Sequence, residues 1–305
     1  MWNRTSVTEF ILLGIPHTDG LEMALFIVFV TFFTLTVLGN GLILTIIVAS
    51  PRLRTPMYFF LGILSFFDLL FPSVTSLKLL ASLSGRSRAI SYGGCICQVF
   101  FYHFLGCIEC FLYTVMAYDR YAAICHPLRY NVIMNPGVCV GLAAGTWLGG
   151  GLHAALLTCL TFRLPYCGPN HVDYFFCDIP AVLPLACADV SLAQVISFTN
   201  VGLMPLPCFL FVLVSYARIT HSILRMRSEE GRRRAFSTCS AHLTSIILFY
   251  GPVALIYLQP DPSPGFSAGV QILNNLVTPM LNPVIYSLRN KEVGTALKVL
   301  LSQTK

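Results

Sequence analysis

Seven long apolar stretches alternate with short polar segments along this chain. A bilayer core about 30 Å thick is crossed by roughly 20 apolar residues in helical form, and every one of these stretches reaches that length. The pattern therefore predicts an all-α membrane protein, a bundle of seven transmembrane helices. The predicted spans are residues 23–49, 57–83, 96–118, 138–162, 190–217, 235–260 and 262–288.

Basic residues predict the orientation of the bundle, because cytoplasmic loops of membrane proteins carry an excess of Lys and Arg. Most of the 19 Lys and Arg residues fall in segments that are inside when the amino terminus is outside. We therefore expect an extracellular tail at 1–22, a seven-transmembrane domain at 23–288 and a short cytoplasmic tail at 289–305. Asn3 begins the one Asn-x-Ser/Thr sequon and is a predicted glycosylation site in the outer tail.

The composition excludes several other classes of protein. Hydrophobic residues make up 56% of the chain and charged residues 10%, whereas about a quarter of a soluble chain is charged. Membrane lipid is therefore expected around the bundle. The net charge of +6 is scattered between apolar runs, which argues against nucleic-acid binding. The chain has no His-Glu-x-x-His motif and no Walker loop, and we expect it not to be an enzyme.

Cysteines concentrate on the predicted outer face. Cys167, Cys177 and Cys187 lie in the long loop between the fourth and fifth spans, and Cys95 and Cys97 lie at the outer start of the third. In an oxidising compartment these five residues can form two disulfides and leave one free thiol. The residue pattern alone does not give the pairing.

Two carboxylic acids, Asp68 and Glu109, lie within predicted spans. A charged group there is costly, so it normally faces a polar interior and marks a function. With Asn40, Asn275 and Asn282 on other spans, the two acids could surround a small cation. Protonated, hydrogen-bonded carboxyls are the alternative interpretation. A channel or transporter that uses both acids as an ion or proton relay is the competing functional hypothesis.

The third span carries two further candidate sites. His103, Cys107 and Cys110 combine imidazole and thiol groups, which copper and zinc prefer, and they leave a metal hypothesis open. Asp119-Arg120-Tyr121 stands at the inner end of the span, where a conformational change could break the pairing of Arg120 with Asp119. A static surface ion pair is the alternative.

Four blocks of sequence resemble the signatures of vertebrate olfactory receptors, which are rhodopsin-like G-protein-coupled receptors. The blocks are PMYFFL at 56–61, MAYDRYAAICHPL at 116–128, AFSTCSAHL at 235–243 and LNPVIYSLRN at 281–290. The resemblance extends from about residue 9 to residue 298. It implies a multi-pass receptor of the plasma membrane.

The resemblance implies two disulfides, Cys95 to Cys177 and Cys167 to Cys187, with Cys97 as the odd thiol. Asp68 and Glu109 match the carboxylates of an interior sodium site, and no other cofactor is expected. The residues matching the family's G-protein coupling and activation machinery are Asp119, Arg120, Tyr121, Tyr216, Asn282, Pro283 and Tyr286.

The resemblance also implies an odorant pocket within the bundle and a stimulatory, olfactory-type heterotrimeric G protein that raises cyclic AMP. The matching positions form an apolar wall with a few hydrogen-bonding groups and no basic residue, so we expect a small, volatile, uncharged ligand. These positions are Tyr102, His103, Gly106, Cys107, Asn200, Val201, Met204, Tyr250, Val253, Ala254, Tyr257, Ile272 and Asn275.

Overall fold

The computed structural model describes residues 7–15, 20–258, 264–289, 292–296 and 298. Within them the seven predicted spans are helical. The first four helices are α1 Glu22–Ala49, α2 Pro56–Leu83, α3 Tyr92–Cys125 and α4 Pro136–Phe162. The fifth, α5, runs through Ser191–Leu203 and Pro205–Leu224, and α6 is Glu229–Leu258. The seventh, α7, consists of Pro264–Ile272, a π-helical turn at Leu273–Val277 and Thr278–Arg289.

Helices α1 to α6 are the ones in the described part of the chain that are individually long and apolar enough to cross a bilayer. The three segments of α7 together complete the bundle. Large apolar side chains such as Leu38, Leu148 and Val214 are exposed on its outer surface. Exposed apolar faces of this extent are expected where lipid, not water, surrounds the protein.

Local sequence explains several helix ends. The Ser91 hydroxyl accepts a hydrogen bond from the Gly94 N–H at 3.0 Å and caps α3. The Asn135 side chain likewise accepts from the Val138 N–H at 3.0 Å and caps α4. Each bond satisfies one backbone donor that the first helical turn leaves unpaired. Pro136 follows as the first residue of α4, where a missing N–H costs nothing.

Helix α3 is the centre of the bundle and packs against α2, α4, α5 and α6. Its buried side chains include Leu105, Ile108, Leu112 and Tyr113, which belong to the main hydrophobic core. Short helices occupy the connections. They are Pro51–Leu53, Pro127–Arg129, Tyr130–Ile133, Ile179–Val182 and Leu183–Leu185.

A small sheet closes the end of the bundle that carries the disulfides, called here the disulfide end. Its strands are β1 Glu9–Leu12, β2 Ala89–Ser91 and β3 His171–Val172, in the order β2-β1-β3. Strand β1 pairs antiparallel with β2 and parallel with β3. Phe10 of β1 is fully buried against the rings of Tyr92 and Tyr166. Part of the segment predicted as a tail is therefore built into the fold.

Glycine allows α4 to approach α3 closely. A Cβ atom at Gly150 would lie 2.9 Å from Ile108 Cγ1 and 3.2 Å from the Phe104 carbonyl oxygen. Gly145, one and a half turns earlier on α4, would meet nothing within 4 Å. The two glycines therefore offer a matched pair for testing the packing of these helices.

We expect Gly150→Ala and Gly145→Ala to shift the melting temperature of the purified receptor in opposite directions. Alanine in a helix is favoured over glycine by about 1 kcal/mol, so Gly145→Ala should stabilise the receptor. Gly150→Ala should destabilise it by about 1–3 kcal/mol, the usual cost of overpacking a tight contact. Thermal unfolding in detergent measures both shifts. Equal shifts for the two variants would contradict the described α3–α4 contact.

Candidate functional site

Two cavities lie towards the disulfide end of the bundle. The larger, of about 550 Å³, is enclosed by α3, α5, α6, α7 and the long loop that follows α4. The smaller, of about 120 Å³, lies among α2, α3, α4, α5, α6 and α7. Tyr102, His103, Val253 and Asn274 line both cavities, so the two spaces adjoin.

Most positions predicted to contact a ligand line one or both of these cavities. They are Tyr102, His103, Gly106, Cys107, Asn200, Met204, Val253 and Asn275. Tyr250 lines neither, because its hydroxyl lies 3.0 Å from Cys110 Sγ and its ring packs against Phe209. Ala254 is exposed and Ile272 packs in a separate cluster with Phe176. The side chains of Val201 and Tyr257 lie outside the described residues.

The long loop contributes a wall that the sequence did not predict. Asp178, Ile179, Pro180, Leu183 and Pro184 all line the larger cavity. Gln194, Ser197 and Gln271 are further lining residues beyond the predicted set. The acidic character of the loop was the available signal for Asp178, but its position depends on how the disulfides fold the loop.

Two disulfides and a glutamine hold this loop in place. The structure contains both bridges that the resemblance implies, Cys95 to Cys177 and Cys167 to Cys187. Cys97 is an exposed free thiol, as expected. Gln98 accepts a hydrogen bond from the Cys177 N–H at 2.8 Å and donates to the Val74 carbonyl at 2.7 Å. The loop is thereby fixed to α3 and α2.

Asp178 follows Cys177 and is buried. Its Oδ1 accepts from the Ile179 N–H at 2.8 Å and caps the short helix Ile179–Val182. Burial raises the pKa of its carboxyl to about 6, because the charged form loses solvation. Across the cavity, His103 Nε2 is 3.6 Å from Asp178 Oδ1 and has no hydrogen-bond partner.

The residues of the metal hypothesis do not converge. His103 faces Asp178, while Cys110 contacts Tyr250. Over the residues that the structure describes, no three His, Cys, Asp or Glu side chains form a group that could hold a metal ion. The spacing of His103, Cys107 and Cys110 along one helix is therefore not enough to assemble such a site.

A polar centre lies deeper in the bundle. Asn282 Nδ2 donates to Asp68 Oδ2 at 2.9 Å, and the carboxyl of Glu109 is in hydrogen-bonding contact with that of Asp68. Two carboxylates so close repel one another, so a cation or a proton between them would be stabilising. Within the described residues, five buried side-chain oxygens of the residues proposed to surround a cation have no hydrogen-bond partner. They are Asn40 Oδ1, Asp68 Oδ1, Glu109 Oε1, Asn275 Oδ1 and Asn282 Oδ1.

The opposite end of α3 carries the predicted activation residues, and it is called here the Arg120 end. Arg120 donates to the carboxylate of Asp119, which is completely buried. The Tyr130 hydroxyl donates to the other oxygen of Asp119 at 2.7 Å. The structure therefore has a closed latch at this end, with Arg120 engaged by its own neighbour. Tyr121, in contrast, is directed to His126 at 3.2 Å.

The remaining activation residues lie on α5 and α7. The Tyr216 hydroxyl is 2.6 Å from His242 Nδ1, and Tyr286 is buried in the same core. Asn282 links α7 to Asp68, and the next residue, Pro283, packs against α1, where a Cβ at Gly39 would be 3.1 Å from its ring. Proline inside a helix removes a backbone hydrogen bond and permits bending. An apolar cavity at one end and a latch at the other are thus joined through a polar core.

The family model for olfactory receptors matches residues 29–304. The chain belongs to the olfactory receptor family. It is 67% identical to human olfactory receptor 10D3 over 99% of this chain and 97% of that protein. It is 68% identical to human putative olfactory receptor 10D4 over 96% of this chain and 98% of that protein.

The fold agrees with this assignment. The crystal structure of squid rhodopsin superposes with a TM-score of 0.71 at 17% identity, covering 93% of this chain and 81% of that chain. The chain is thus a seven-helix G-protein-coupled receptor of the plasma membrane, and the members of its family are receptors, not enzymes.

One short sequence in α7 matches a motif of hydrolases. Gly265, Ser267 and Gly269 have the spacing of a hydrolase nucleophile elbow, in which the serine stands on a sharp turn between a strand and a helix. In this structure the three residues lie inside the helix Pro264–Ile272 instead.

Proposed function

We propose that this olfactory receptor binds a small, volatile, uncharged odorant in the two adjoining cavities and activates a stimulatory, olfactory-type G protein. Cyclic AMP then rises. The observation that carries the proposal is the enclosed cavity of about 550 Å³ at the disulfide end. Its described lining residues include no Lys or Arg, and apolar side chains predominate. Such a wall suits a ligand with one polar function and gives an anion no counter-charge.

The proposed mechanism is a shift between two populations. A ligand can drive a conformational change only if it binds the active arrangement better than the resting one. Odorant contacts with α3, α5, α6 and α7 favour an arrangement in which Arg120 leaves Asp119. Arg120 then meets the G protein, with Tyr216 and Tyr286 as its new neighbours inside the bundle. The contact between Arg120 and Asp119 is the bond that this step breaks.

We assign a sodium ion to the polar centre in the resting state. Sodium prefers oxygen ligands, and the unpaired oxygens of Asp68, Glu109 and three asparagines supply them. The ion would balance one ionised carboxylate, while the other carboxyl would keep its proton. It would also join α2, α3 and α7, since Asn282 already binds Asp68. No other cofactor is proposed.

The proposed orientation has the disulfide end outside the cell and the Arg120 end in the cytoplasm. It follows the distribution of Lys and Arg along the chain and places the disulfides in an oxidising compartment. Asn3 would be glycosylated in this orientation; it lies outside the described residues. Epitope tags at each terminus, detected with and without permeabilising the cells, test the arrangement. Tags exposed on the same side would contradict it.

We expect cells that express the receptor with a cyclic AMP reporter to respond to a subset of several hundred uncharged volatiles. Gly106→Leu should raise the half-maximal concentration of an active odorant at least about tenfold, because the added side chain enters the smaller cavity. Gly141→Leu is the matched control, since Gly141 is exposed and has open space around it.

Three outcomes would count against the proposal. Silence across the whole panel, with the receptor at the cell surface, contradicts odorant activation of the G protein. Activation by carboxylates alone contradicts the uncharged ligand. Odorant-driven ion flux without any cyclic AMP favours the competing channel hypothesis.

A further inference from the structure

The pair formed by His103 and Asp178 is the most polar part of the larger cavity. His103 Nε2 and Asp178 Oδ1 are 3.6 Å apart, too far for a good direct hydrogen bond. Both side chains are buried, and the imidazole nitrogen has no other partner. Two strong hydrogen-bonding groups thus face one another at the edge of the larger cavity, slightly farther apart than a direct hydrogen bond.

A hydroxyl group has the chemistry that this gap requires. Its oxygen can lie on the cavity side of the pair, beside the line that joins the two atoms and about 2.8 Å from each. There it can donate its proton to the carboxylate and accept from the imidazole N–H. An aldehyde, ketone, ester or ether only accepts, so it offers the buried carboxylate no donor beyond the Ile179 N–H, at a cost. A protonated amine donates to Asp178 but offers His103 no acceptor.

We infer that the His103–Asp178 pair is the polar anchor of the odorant site and selects alcohols over carbonyl compounds of the same carbon skeleton. This inference rests on the proposed function and names the ligand class within it. Apolar lining residues such as Ile179, Leu183 and Val253 then hold the carbon skeleton. Contacts of the ligand hydroxyl with the His103–Asp178 pair give the specificity, and contacts of the carbon skeleton with the apolar lining give the affinity.

The anchor is preorganised by the fold. Cys95 and His103 stand eight residues apart on α3, about 12 Å along the axis. The disulfide from Cys95 holds Cys177, and Asp178 is the next residue of the loop. The bond from the Asp178 carboxylate to the Ile179 N–H fixes the side chain further. Both halves of the anchor are therefore positioned before a ligand arrives, which lowers the cost of binding.

The test compares alcohols and aldehydes that share a skeleton. The probes are 1-octanol and octanal, citronellol and citronellal, and benzyl alcohol and benzaldehyde, with octylamine as the cationic probe. Dose–response curves of the cyclic AMP reporter are recorded for each. In at least one pair the alcohol should act at a concentration about tenfold or more below that of its aldehyde, the effect of one hydrogen bond to a charged group.

Substitutions of Asp178 and His103 test whether the pair binds the ligand or only holds the loop in place. Asp178→Asn keeps the cap of the short helix but loses the charge, and His103→Phe keeps a ring of similar size. Each should weaken the active alcohol about tenfold and change its aldehyde by less than about twofold. The double variant should weaken the alcohol no more than either single variant, because one hydroxyl bridges both groups. Asp173→Asn is the control, an exposed acid of the same loop that should change nothing.

The outcomes are decisive in each direction. Equal or better responses to every aldehyde, or to octylamine, overturn the inference. So does an Asp178→Asn variant that weakens the alcohol and its aldehyde by the same factor, because the pair would then serve only to hold the loop. Silence on all these probes, with other volatiles active in the wider panel, overturns the inference and leaves the proposed function intact. Silence on the whole panel overturns the proposed function itself.

Discussion

Arg120→Ala is expected to abolish the odorant-stimulated rise in cyclic AMP while the receptor still reaches the cell surface. Arg120 is held by Asp119 at the end of α3 opposite the cavities. Its side chain is the charged group that a partner could recruit when the latch opens. The substitution leaves the cavities intact and removes the guanidinium group that is proposed to leave Asp119 on activation. A loss of at least about a hundredfold in the response is expected.

The measurement pairs a cyclic AMP assay with flow cytometry of a surface tag, so that signalling is normalised to receptor number. Arg129→Ala is the control, because Arg129 is an exposed arginine close to the same end of α3. It removes the same charge without touching Asp119 and should keep most of the response. Full signalling by Arg120→Ala would refute the latch as the route to the G protein.

The transmembrane architecture was predictable because lipid imposes a length and a composition on each span. Within the described residues each of the seven predicted spans is mainly helical, yet several helices extend beyond the predicted bounds. Helix α3 continues to Cys125 and α6 begins at Glu229. The extra turns carry charged residues such as Asp119, Arg120 and Glu230, so an apolar run does not mark them. The break at Met204 and Pro205 in α5 is similarly invisible to hydropathy.

The sheet at the disulfide end could not be predicted for a different reason. Its strands have two to four residues and come from segments far apart in the chain. Such short strands show no alternation that distinguishes them from loops. Their pairing depends on where the bundle and the disulfides bring the segments. The burial of Phe10 between Tyr92 and Tyr166 is thus a tertiary result without a local signal.

The candidate site was also only partly predictable from the sequence. Helical positions such as His103 and Asn200, which the resemblance implied, line the cavities. Tyr250 was implied by the same resemblance, but its hydroxyl contacts the Cys110 thiol, which only side-chain packing reveals. The loop residues Asp178 and Leu183 were missed because their position depends on the path of the loop. The part of the site with the strongest polarity was therefore the least accessible from the sequence.

Cys177→Ser is expected to remove most of the odorant response, because the bridge to Cys95 closes 82 residues of sequence and holds the loop over the cavity. A bridge of this span stabilises a folded chain by about 4 kcal/mol. Without it, Asp178 and the apolar residues that follow are no longer fixed against α3. We expect the half-maximal odorant concentration to rise at least about tenfold, with fewer receptors at the surface.

A double-mutant cycle makes this prediction independent of how far the surface level falls. Cys95→Ser should have the same effect as Cys177→Ser, and the double variant should be no worse than either, because one bond is lost in all three. Cys97→Ser is the matched control, since its thiol is free and exposed two residues from Cys95. Cys167→Ser opens a loop of 20 residues within the same long loop and should cost less. Additive losses for Cys95 and Cys177 would mean that the two thiols act separately, and the disulfide could then not be what holds Asp178 against α3.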